Sequence, residues 1–474
     1  MKRLSALLLL VLVAGSALAQ ETWLGLYMMG NKIGYASFNS REENLKGQSL
    51  KRTDSRTVMS AGLLGQEMTM RIESTSWLKS DGAPVRMKFL MESGGRSQIT
   101  DATFSADGKI LLEIDNNGTR SQKTLTIPKD GAIIEDPLVP MLHDGLAPGS
   151  RQTFYVLDPM TASLVKNTVL LKGPAKAKVR GQEHDALLVE IQDPRANMSV
   201  FVSSKGDLIK AEGPLGIEMI PESREEALAD AENRKYTPTT DLAFSTSIKT
   251  DKPIKDPAKV TLLHLRVSGR DLGALPTDEH QTVKKEGESW SVRVHPPVQN
   301  LKASTTIAAA AKAKPAFTKA SHLITSASPE IKSLAKTIVG KRTNVLESAI
   351  LIKKHVYGMM KPNAGIGVLR DGNEILKTRE GVCRDYAILT ASLMRAAGIP
   401  TRLASGLVNW DGTFFYHAWV EVWDGKRWIG LDSTSPNSQI SATHVKLSHG
   451  NVEDAFTFSF LDKVKVEVLA VERK

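Results

Sequence analysis

Cysteine is almost absent from this chain, which has one such residue, Cys383, among 474. A single thiol cannot form a disulfide within the chain, so a fold held together by disulfides is excluded. Zinc sites built from several cysteines are excluded as well, and the histidines are scattered, so no metal and no other cofactor is predicted. The lone thiol is either a small packing residue or a reactive group.

Basic clusters and long apolar segments are also scarce. The net charge is +10, but the lysines and arginines are spread along the chain, so nucleic-acid binding is not predicted. One apolar run, residues 4–18, follows a Lys-Arg pair and ends at an Ala-Leu-Ala sequence. This pattern is typical of a signal peptide over residues 1–19. The run is short for a membrane span, so we expect no stable membrane insertion and a secreted or periplasmic mature protein beginning near Gln20.

Most of the chain before the cysteine has the pattern of short strands. Apolar runs separated by turn residues continue from residue 21 to about residue 222, and the first two flank a Gly30-Asn31 turn. This pattern predicts a largely antiparallel sheet or a partial barrel. A Ser-x-x-Glu capping box at residues 223–226 predicts a helix that closes this region.

The predicted organisation has five parts and an α+β fold class. Helix-start signals at Ser328-Pro329 and at Asn344 mark the change to mixed helix and strand. The parts are a signal peptide (1–19), a mainly antiparallel β domain with a closing helix (20–236), a small β unit (237–298), an Ala/Lys-rich linker or surface segment (299–327) and a mixed domain (328–474).

The surroundings of Cys383 favour a thiolate. The cysteine follows Gly381 and begins a segment that is apolar almost all round, so it should lie in the first turn of a buried helix. Free backbone N–H groups and the helix dipole stabilise a negative charge there. Asp385, two residues later, is expected to serve the same helix terminus. The cysteine alone leaves packing and chemistry equally open.

A histidine and an aspartate downstream supply partners for the thiol. Two β-rich runs flank Asp424-Gly425, which predicts a hairpin. With a two-residue loop, His417 lies directly across the ladder from Asp432, close enough for a hydrogen bond. A three-residue loop would break that register, and a four-residue loop would keep it. Cys383, His417 and Asp432 would then be nucleophile, general base and orienting carboxylate.

Other polar and aromatic residues follow the cysteine. His444 and His449 fall in polar, loop-like stretches, so we expect both to be solvated. Glu421 is expected to be a structural charge at the edge of the cleft. Trp419 shares the strand face of the predicted base, and Trp410 lies in the preceding turn. Both tryptophans are candidates for substrate binding, with core or rim packing as the alternative.

These segments resemble the transglutaminase-like superfamily. The resemblance covers roughly residues 345–435 and rests on Gly381-x-Cys383, the run Leu-Met-Arg-Ala-Ala-Gly-Ile-Pro-Thr-Arg at 393–402, His-Ala-Trp-Val-Glu at 417–421 and Trp-Ile-Gly-Leu-Asp-Ser-Thr at 428–434. It implies a papain-like catalytic core within 328–474 that uses Cys383, His417 and Asp432. The implied activity is hydrolysis of an amide bond in a protein or peptide, or transfer of the acyl group to an amine, through a thioester.

The sequence departs from the animal members of that family in two features. No tryptophan lies between Trp290 and Trp410, so the oxyanion-binding tryptophan upstream of the cysteine is missing. The Cys383 backbone N–H can be one oxyanion donor, and Tyr357 and Asn363 are candidates for the second. No acidic run resembles a calcium loop. These two departures favour hydrolysis over cross-linking. The alternative to an enzyme is a non-catalytic envelope scaffold that keeps the fold. The sequence predicts no oligomeric state.

Overall fold

The protein divides into two compact units in a computed structural model. Unit 1 is Met1–Ser245 with Gly365–Leu369, and unit 2 is Thr246–Ala364 with Arg370–Lys474. The predicted signal peptide lies outside the described residues. Within the part of the chain that the structure describes, no helix is both long enough and apolar enough to cross a membrane. The described residues are 21–474 without 46, 64, 130, 135–146, 195–196, 214–215, 230–240, 242, 244–245, 270–273, 298, 411, 438 and 456–463.

Unit 1 is built on one antiparallel sheet of fourteen strands, so the predicted antiparallel architecture is confirmed. Along several strands buried and more exposed residues alternate, as expected when one face of a sheet is covered. The strands are β1 (Thr22–Met28), β2 (Asn31–Leu45), β3 (Gln48–Leu63), β4 (Gln66–Leu78), β5 (Pro84–Ser93), β6 (Arg96–Phe104), β7 (Lys109–Asn116), β8 (Thr119–Thr126), β9 (Arg151–Asp158), β10 (Ser163–Val179), β11 (Gln182–Gln192), β12 (Met198–Val202), β13 (Leu208–Glu212) and β14 (Ile217–Glu222). Their order is β8-β7-β6-β5-β4-β3-β2-β1-β14-β13-β12-β11-β10-β9.

The first hairpin turn lies one residue earlier than predicted. Met28 pairs with Asn31, so Met29 and Gly30 form the loop. Their φ angles are 50° and 78°, and positive values at both central residues match the twist of the flanking strands. Asn31 instead donates its side-chain amide to the Met29 carbonyl at 3.3 Å.

The predicted capping box begins a short helix, α1 (Arg224–Leu228), after β14. Ser223 Oγ accepts a hydrogen bond from the Glu226 N–H at 3.1 Å, and Glu226 Oε2 accepts one from the Ser223 N–H at 2.9 Å. These two bonds satisfy donors that the helix itself leaves unpaired.

Unit 2 combines helices with two larger sheets. The helices are α2 (Ile307–Ala313), α3 (Pro329–Val339), α4 (Val345–Met359), α5 (Gly372–Thr378), α6 (Cys383–Ala396) and α7 (Val452–Ala455). The strands are β15 (Ile248–Lys249), β16 (Val260–Ser268), β17 (Gln281–Glu286), β18 (Ser289–Val294), β19 (Lys361–Pro362), β20 (Glu380–Gly381), β21 (Thr401–Trp410), β22 (Thr413–Trp423), β23 (Trp428–Leu431), β24 (His444–Gly450) and β25 (Lys465–Arg473).

The two larger sheets of unit 2 share one apolar core. One sheet has the order β15-β22-β21-β24 with β23 paired to β22, and the other has the order β17-β18-β16-β25. Buried side chains from both meet in that core, among them Leu263, Val292, Leu407, Phe414 and Val445. Residues 246–298 and 299–327 thus share unit 2 with the residues that follow. The five-part division stays a prediction.

Helix starts in unit 2 agree with the sequence signals. Ser328 precedes α3, with proline at its first position. Asn344 precedes α4 and accepts a hydrogen bond from the Glu347 N–H at 3.0 Å. Cys383 is the first residue of α6, whose side chains are mostly buried. The helix that carries the thiol is therefore held in the interior of the unit.

Candidate active site

Cys383 lies partly buried at the N-terminus of α6. Since a helix has no internal acceptor for its first N–H groups, this terminus can stabilise a negative charge. Asp385 Oδ2 accepts a hydrogen bond from the Val382 N–H at 2.9 Å, so the role predicted for Asp385 at the helix terminus is confirmed.

A buried ion pair fixes the turn before the nucleophile. Arg370 Nη2 lies 3.1 Å from Asp385 Oδ1, and both side chains are fully buried. The same Nη2 donates to the Glu380 carbonyl at 2.6 Å. Gly381 has φ 149°, and a Cβ there would stand 2.6 Å from Arg370 Nη2 and from Asp385 Cβ. The glycine of the Gly-x-Cys motif is thus required by this close approach. Arg370, which precedes the motif by eleven residues, was not predicted as part of the site.

His417 and Asp432 are hydrogen-bonded. His417 is on β22, Asp432 follows β23 directly, and His417 Nε2 lies 2.9 Å from Asp432 Oδ2. The imidazole nitrogen left for the thiol is therefore Nδ1. The structure brings the three predicted triad residues together, because the same imidazole lies close enough to the Cys383 thiol to lower the pKa of that thiol.

The predicted register of this hairpin was wrong by two residues, and so was the expectation that a four-residue loop would keep His417 directly opposite Asp432. Val420 pairs with Leu431 and Trp423 with Trp428, so the loop has four residues, 424–427. Asp424 Oδ1 accepts hydrogen bonds from the backbone N–H groups of residues 426 and 427, at 2.8 and 2.9 Å, which stabilises the longer turn. The base and the carboxylate therefore share a strand face as diagonal neighbours, and are not directly opposite each other.

Two further residues hold the Asp432 carboxylate. Oδ1 accepts hydrogen bonds from the Thr434 N–H at 2.9 Å and from Thr434 Oγ1 at 2.8 Å. Oδ2, which His417 contacts, also lies 3.5 Å from His444 Nε2. The prediction that His444 is solvated was wrong, because the residue is buried at the start of β24. His449 on the same strand is partly buried.

Electrostatics in the site favour a charged pair. Burial raises the pKa of the Cys383 thiol, but the His417 hydrogen bond and charge and a backbone hydrogen bond from Ala418 bring it below its usual value. Burial lowers the pKa of His417, yet the Asp432 carboxylate and the thiol raise it well above normal. Burial raises the pKa of Asp432, but the imidazoles of His417 and His444 together bring that pKa well below its usual value. The shifts at Cys383 and His417 both act in the direction that favours a thiolate next to an imidazolium.

A buried lysine supports the segment that carries the carboxylate. Lys353 on α4 is fully buried and donates from Nζ to the carbonyls of Ser435 and Asn437, the latter at 2.6 Å. Burial lowers the pKa of Lys353 to about 8, although the charge of Asp432 raises it. The sequence places this lysine in an ordinary amphipathic helix, and no local signal separates it from Lys354.

The two tryptophans differ in exposure. Trp419 is 1% exposed, with its ring 6.4 Å from that of His417 at an interplanar angle of 20°. The prediction that it binds substrate disagrees with this burial, and the packing alternative agrees with it. Trp410 is 76% exposed at the end of β21, and its contact with substrate stays a prediction.

Glu421 is a structural charge, but it is buried and not at the cleft edge as expected. Its carboxylate lies 2.6 Å from Arg402 Nη2 and 2.6 Å from Lys446 Nζ. Lys446 also contacts Asp278. Partners from other segments of unit 2 compensate the charge in the interior.

The candidates for a second oxyanion donor stay predictions. Asn363 donates its side-chain amide to Glu380 Oε2 at 3.0 Å and its backbone N–H to the Gly381 carbonyl at 2.9 Å. It therefore supports the turn before Cys383. Tyr357 on α4 is 41% exposed.

A small cluster of ligand-type atoms lies in the site. His417, Asp432 and His444 each provide one potential ligand atom, and these three atoms lie within 4.8 Å of one another, close enough to hold a cation. Hydrogen bonds among the same atoms already account for their closeness. A metal therefore enters no step of the chemistry considered below.

Comparisons with known proteins agree with the resemblance seen in the motifs. A 77-residue stretch is 36% identical to an uncharacterised protein of Mycobacterium tuberculosis, covering 13% of this chain and 24% of that protein. An 89-residue stretch is 37% identical to a protein-glutamine gamma-glutamyltransferase of Pseudomonas aeruginosa, covering 16% of this chain and 13% of that protein. The chain thus spans about a quarter or less of the length of these relatives.

A solved structure from Cytophaga hutchinsonii, assigned provisionally as a cysteine protease, is also similar. It has 19% sequence identity and a TM-score of 0.36, and the match covers 46% of this chain and 89% of that one. A similarity this low carries no functional argument. Residues 332–433 match the transglutaminase-like superfamily, and the chain therefore carries a transglutaminase-like domain over this range.

Proposed function

We propose that this chain is a cysteine-dependent enzyme that acts on amide bonds in proteins or peptides through a Cys383–His417–Asp432 triad. One observation carries the proposal: the imidazole that is hydrogen-bonded to a buried carboxylate also lowers the pKa of the only thiol of the chain, which begins α6. The thiol supplies a nucleophile, the imidazole moves the proton, and the carboxylate keeps the imidazole oriented and stabilises its cation. The proposed core is papain-like.

The first half-reaction acylates the thiol. The Cys383 thiolate attacks the carbonyl carbon, a C–S bond forms, and the oxyanion faces the backbone N–H of Cys383. When the C–N bond breaks, His417 Nδ1–H gives its proton to the departing amine. A thioester and a neutral imidazole remain.

The second half-reaction releases the acyl group. Neutral His417 takes a proton from water or from an amine, the new nucleophile attacks the thioester, and the C–S bond breaks. The acid or the new amide leaves, and the thiolate–imidazolium pair is restored. Hydrolysis is the favoured outcome, because the sequence lacks the oxyanion tryptophan and the calcium-loop pattern of the animal cross-linking enzymes. The similarity to a gamma-glutamyltransferase over 89 residues supports transfer to an amine as the second candidate.

We also propose that the protein is exported. The apolar run after Lys-Arg and the Ala-Leu-Ala sequence support cleavage after Ala19 and a secreted or periplasmic mature chain. N-terminal sequencing of the protein made in a bacterial host should then begin at Gln20 or Glu21. A chain that keeps Met1 would contradict this.

The reaction can be tested with a panel of glutamine-containing peptides and an excess of a primary amine. Products resolved by mass should show the acid or the amine adduct, and Cys383→Ala should give neither. Acid supports hydrolysis, and an adduct supports transfer. A panel that gives no product dependent on Cys383 would favour a non-catalytic envelope scaffold.

A further inference from the structure

The orienting carboxylate is shared by two imidazoles. Asp432 Oδ2 lies 2.9 Å from His417 Nε2 and 3.5 Å from His444 Nε2. The second imidazole reaches the carboxylate from β24, which pairs with β21 and not with the β22–β23 hairpin. It is a buried group, with its side chain 9% exposed. The triad mechanism above does not use it.

Hydrogen bonds at the opposite nitrogen fix the tautomer of His444. Nδ1 lies 3.3 Å from the Ser441 backbone nitrogen and accepts its N–H. Ser441 Oγ lies 3.2 Å from the same nitrogen. Because a backbone N–H can only donate, Nδ1 carries no proton. In the neutral ring the proton is therefore on Nε2, and Nε2–H points to Asp432.

The surroundings keep this ring in place. The ring of Trp419 meets it edge to face, with centroids 5.4 Å apart and an interplanar angle of 90°. His280 Nε2 donates to the His444 backbone carbonyl at 3.2 Å. Packing and backbone contacts thus hold the imidazole where its N–H meets the carboxylate.

We propose that His444 is a positioning residue of the active site, a neutral donor that holds Asp432 in the orientation His417 needs. This rests on the proposed function of the Cys383–His417–Asp432 triad. With Thr434 on Oδ1 and His444 on Oδ2, the carboxylate has a donor on each oxygen besides the base. Rotation of the carboxylate away from His417 would break at least one of these bonds.

A neutral donor suits this position better than a cation. A second positive charge beside Asp432 would compete with the imidazolium of His417 for the carboxylate. Burial lowers the pKa of His444, and the neighbouring charge of His417 acts in the same direction, whereas Asp432 opposes them. His280, whose ring donates to the backbone carbonyl of His444, has its pKa lowered by burial to about 4, and Lys353 interacts with Asp432. The neutral His444 ring can therefore donate a hydrogen bond to Asp432 without adding a charge beside the His417–Asp432 pair.

The test uses the chemistry of the only thiol and needs no substrate. The rate of Cys383 alkylation by iodoacetamide is measured between pH 5 and pH 10 in the full chain. His444→Phe keeps a ring against Trp419 but has no donor, and His444→Gln keeps an N–H near the Nε2 position. His449→Phe, a partly buried residue of the same strand, is the matched control. Thermal unfolding shows whether each variant folds.

We expect His444→Phe to lower the alkylation rate near neutral pH on the order of 10-fold and to move the midpoint of the profile upward. His444→Gln should restore most of the wild-type profile, and His449→Phe should leave it unchanged. A folded His444→Phe variant with the wild-type profile would overturn the proposal. Equal losses in the Phe and Gln variants would overturn it as well, because they would indicate packing and not donation.

Two further readouts separate this inference from the proposed function. If His417→Ala does not alter the alkylation profile, the triad itself fails, whatever His444 does. Nitrogen-15 NMR of the imidazoles reports the tautomer directly, even in a variant with poor activity. A neutral His444 with its proton on Nε2 is expected, and a proton on Nδ1 would contradict the inference.

Discussion

Thr390 Oγ1 lies 2.7 Å from Ser433 Oγ, and this contact joins the helix that begins at the nucleophile to the segment that carries the orienting carboxylate. Both residues are buried. Ser433 is the residue after Asp432, so a shift of this segment relative to α6 would change the distance between the thiol and the carboxylate that orients the base. The two hydroxyls therefore help to set the geometry of the site.

A double-mutant cycle at this contact should show coupling. Thr390→Val leaves one buried hydroxyl without its partner, and we expect a loss of about 1–3 kcal/mol in the free energy of unfolding. Adding Ser433→Ala should cost less than the sum of the single losses, since the same bond cannot be lost twice. Ser392→Ala is the control, because the bond of that hydroxyl to the Ile388 carbonyl, at 2.8 Å, lies within α6 and does not reach the Asp432 segment. Additive losses at Thr390 and Ser433 would contradict the coupling.

Gly381 should not tolerate a side chain. Gly381→Ala places a methyl group against the Arg370–Asp385 ion pair at a φ of 149°. We expect a loss of about 1–3 kcal/mol in unfolding free energy from the backbone alone, and slower alkylation of Cys383. Gly358→Ala is the matched control, since Gly358 is exposed in α4 with ordinary φ and nothing within 4 Å. That change should be neutral or stabilising by up to about 1 kcal/mol.

Local patterns predicted several elements of the fold and of the site well. The Gly-x-Cys sequence before an apolar run predicted the start of α6, and Ser223 and Asn344 marked helix termini that the structure confirms. The alternation in 414–423 predicted β22. Such features depend on neighbours within a few residues, so the sequence contains them directly.

Features that depend on distant segments escaped prediction. The sequence around His444 suggested a solvated residue. Its contact with Asp432 forms only when β24 pairs with β21, and no residue near His444 in the sequence indicates that pairing. Glu421 looked like a rim charge because Arg402 and Lys446 come from other strands. The hairpin register failed for a local reason, namely the hydrogen bonds that Asp424 makes within its own turn.

Lys353 should contribute more to the stability of the protein than its neighbour Lys354. Lys353→Met removes the donor to the carbonyls of Ser435 and Asn437, and leaves both without that bond. We expect a loss of about 1–3 kcal/mol in unfolding free energy and a slower reaction, because the segment after Asp432 loosens. Lys354→Met changes the same charge on the exposed side of α4 and should be nearly neutral. Equal effects of the two changes on unfolding would contradict the role of Lys353.

The loss of turnover on substitution should differ between the three triad residues according to their roles. Cys383→Ala should abolish turnover, and His417→Ala should be nearly as severe, because no other group supplies the nucleophile or the base. Asp432→Ala should be milder, since nucleophile and base remain; in a related triad single losses cost roughly 10⁴–10⁶ in rate, with the orienting residue at the low end. Steady-state rates on a peptide that the wild type cleaves would measure this order. A loss at Asp432 larger than that at His417 would contradict the assignment.

The pH profile should reveal the charged pair. Since His417 keeps the pKa of the Cys383 thiol below its usual value, the thiolate persists below the ordinary pKa of about 8.5 and is lost as pH falls through the lowered pKa. Since Asp432 raises the pKa of His417, the imidazolium persists above its ordinary pKa of about 6.5 and is lost as pH rises through the raised pKa. Turnover should therefore be bell-shaped between these two limits. Alkylation needs only the thiolate, so its rate should rise in a single step as the pH increases, with a midpoint below that of a free cysteine.

The variants predict how that alkylation midpoint moves. His417→Ala should shift it upward, to the value of a free thiol or beyond, because burial alone raises the pKa of Cys383. Asp432→Asn should shift it less, because the imidazole remains but its cation loses the carboxylate charge. Iodoacetamide rates across pH, followed by mass at the single cysteine, measure both shifts. A wild-type midpoint at or above that of a free cysteine would rule out the thiolate–imidazolium pair.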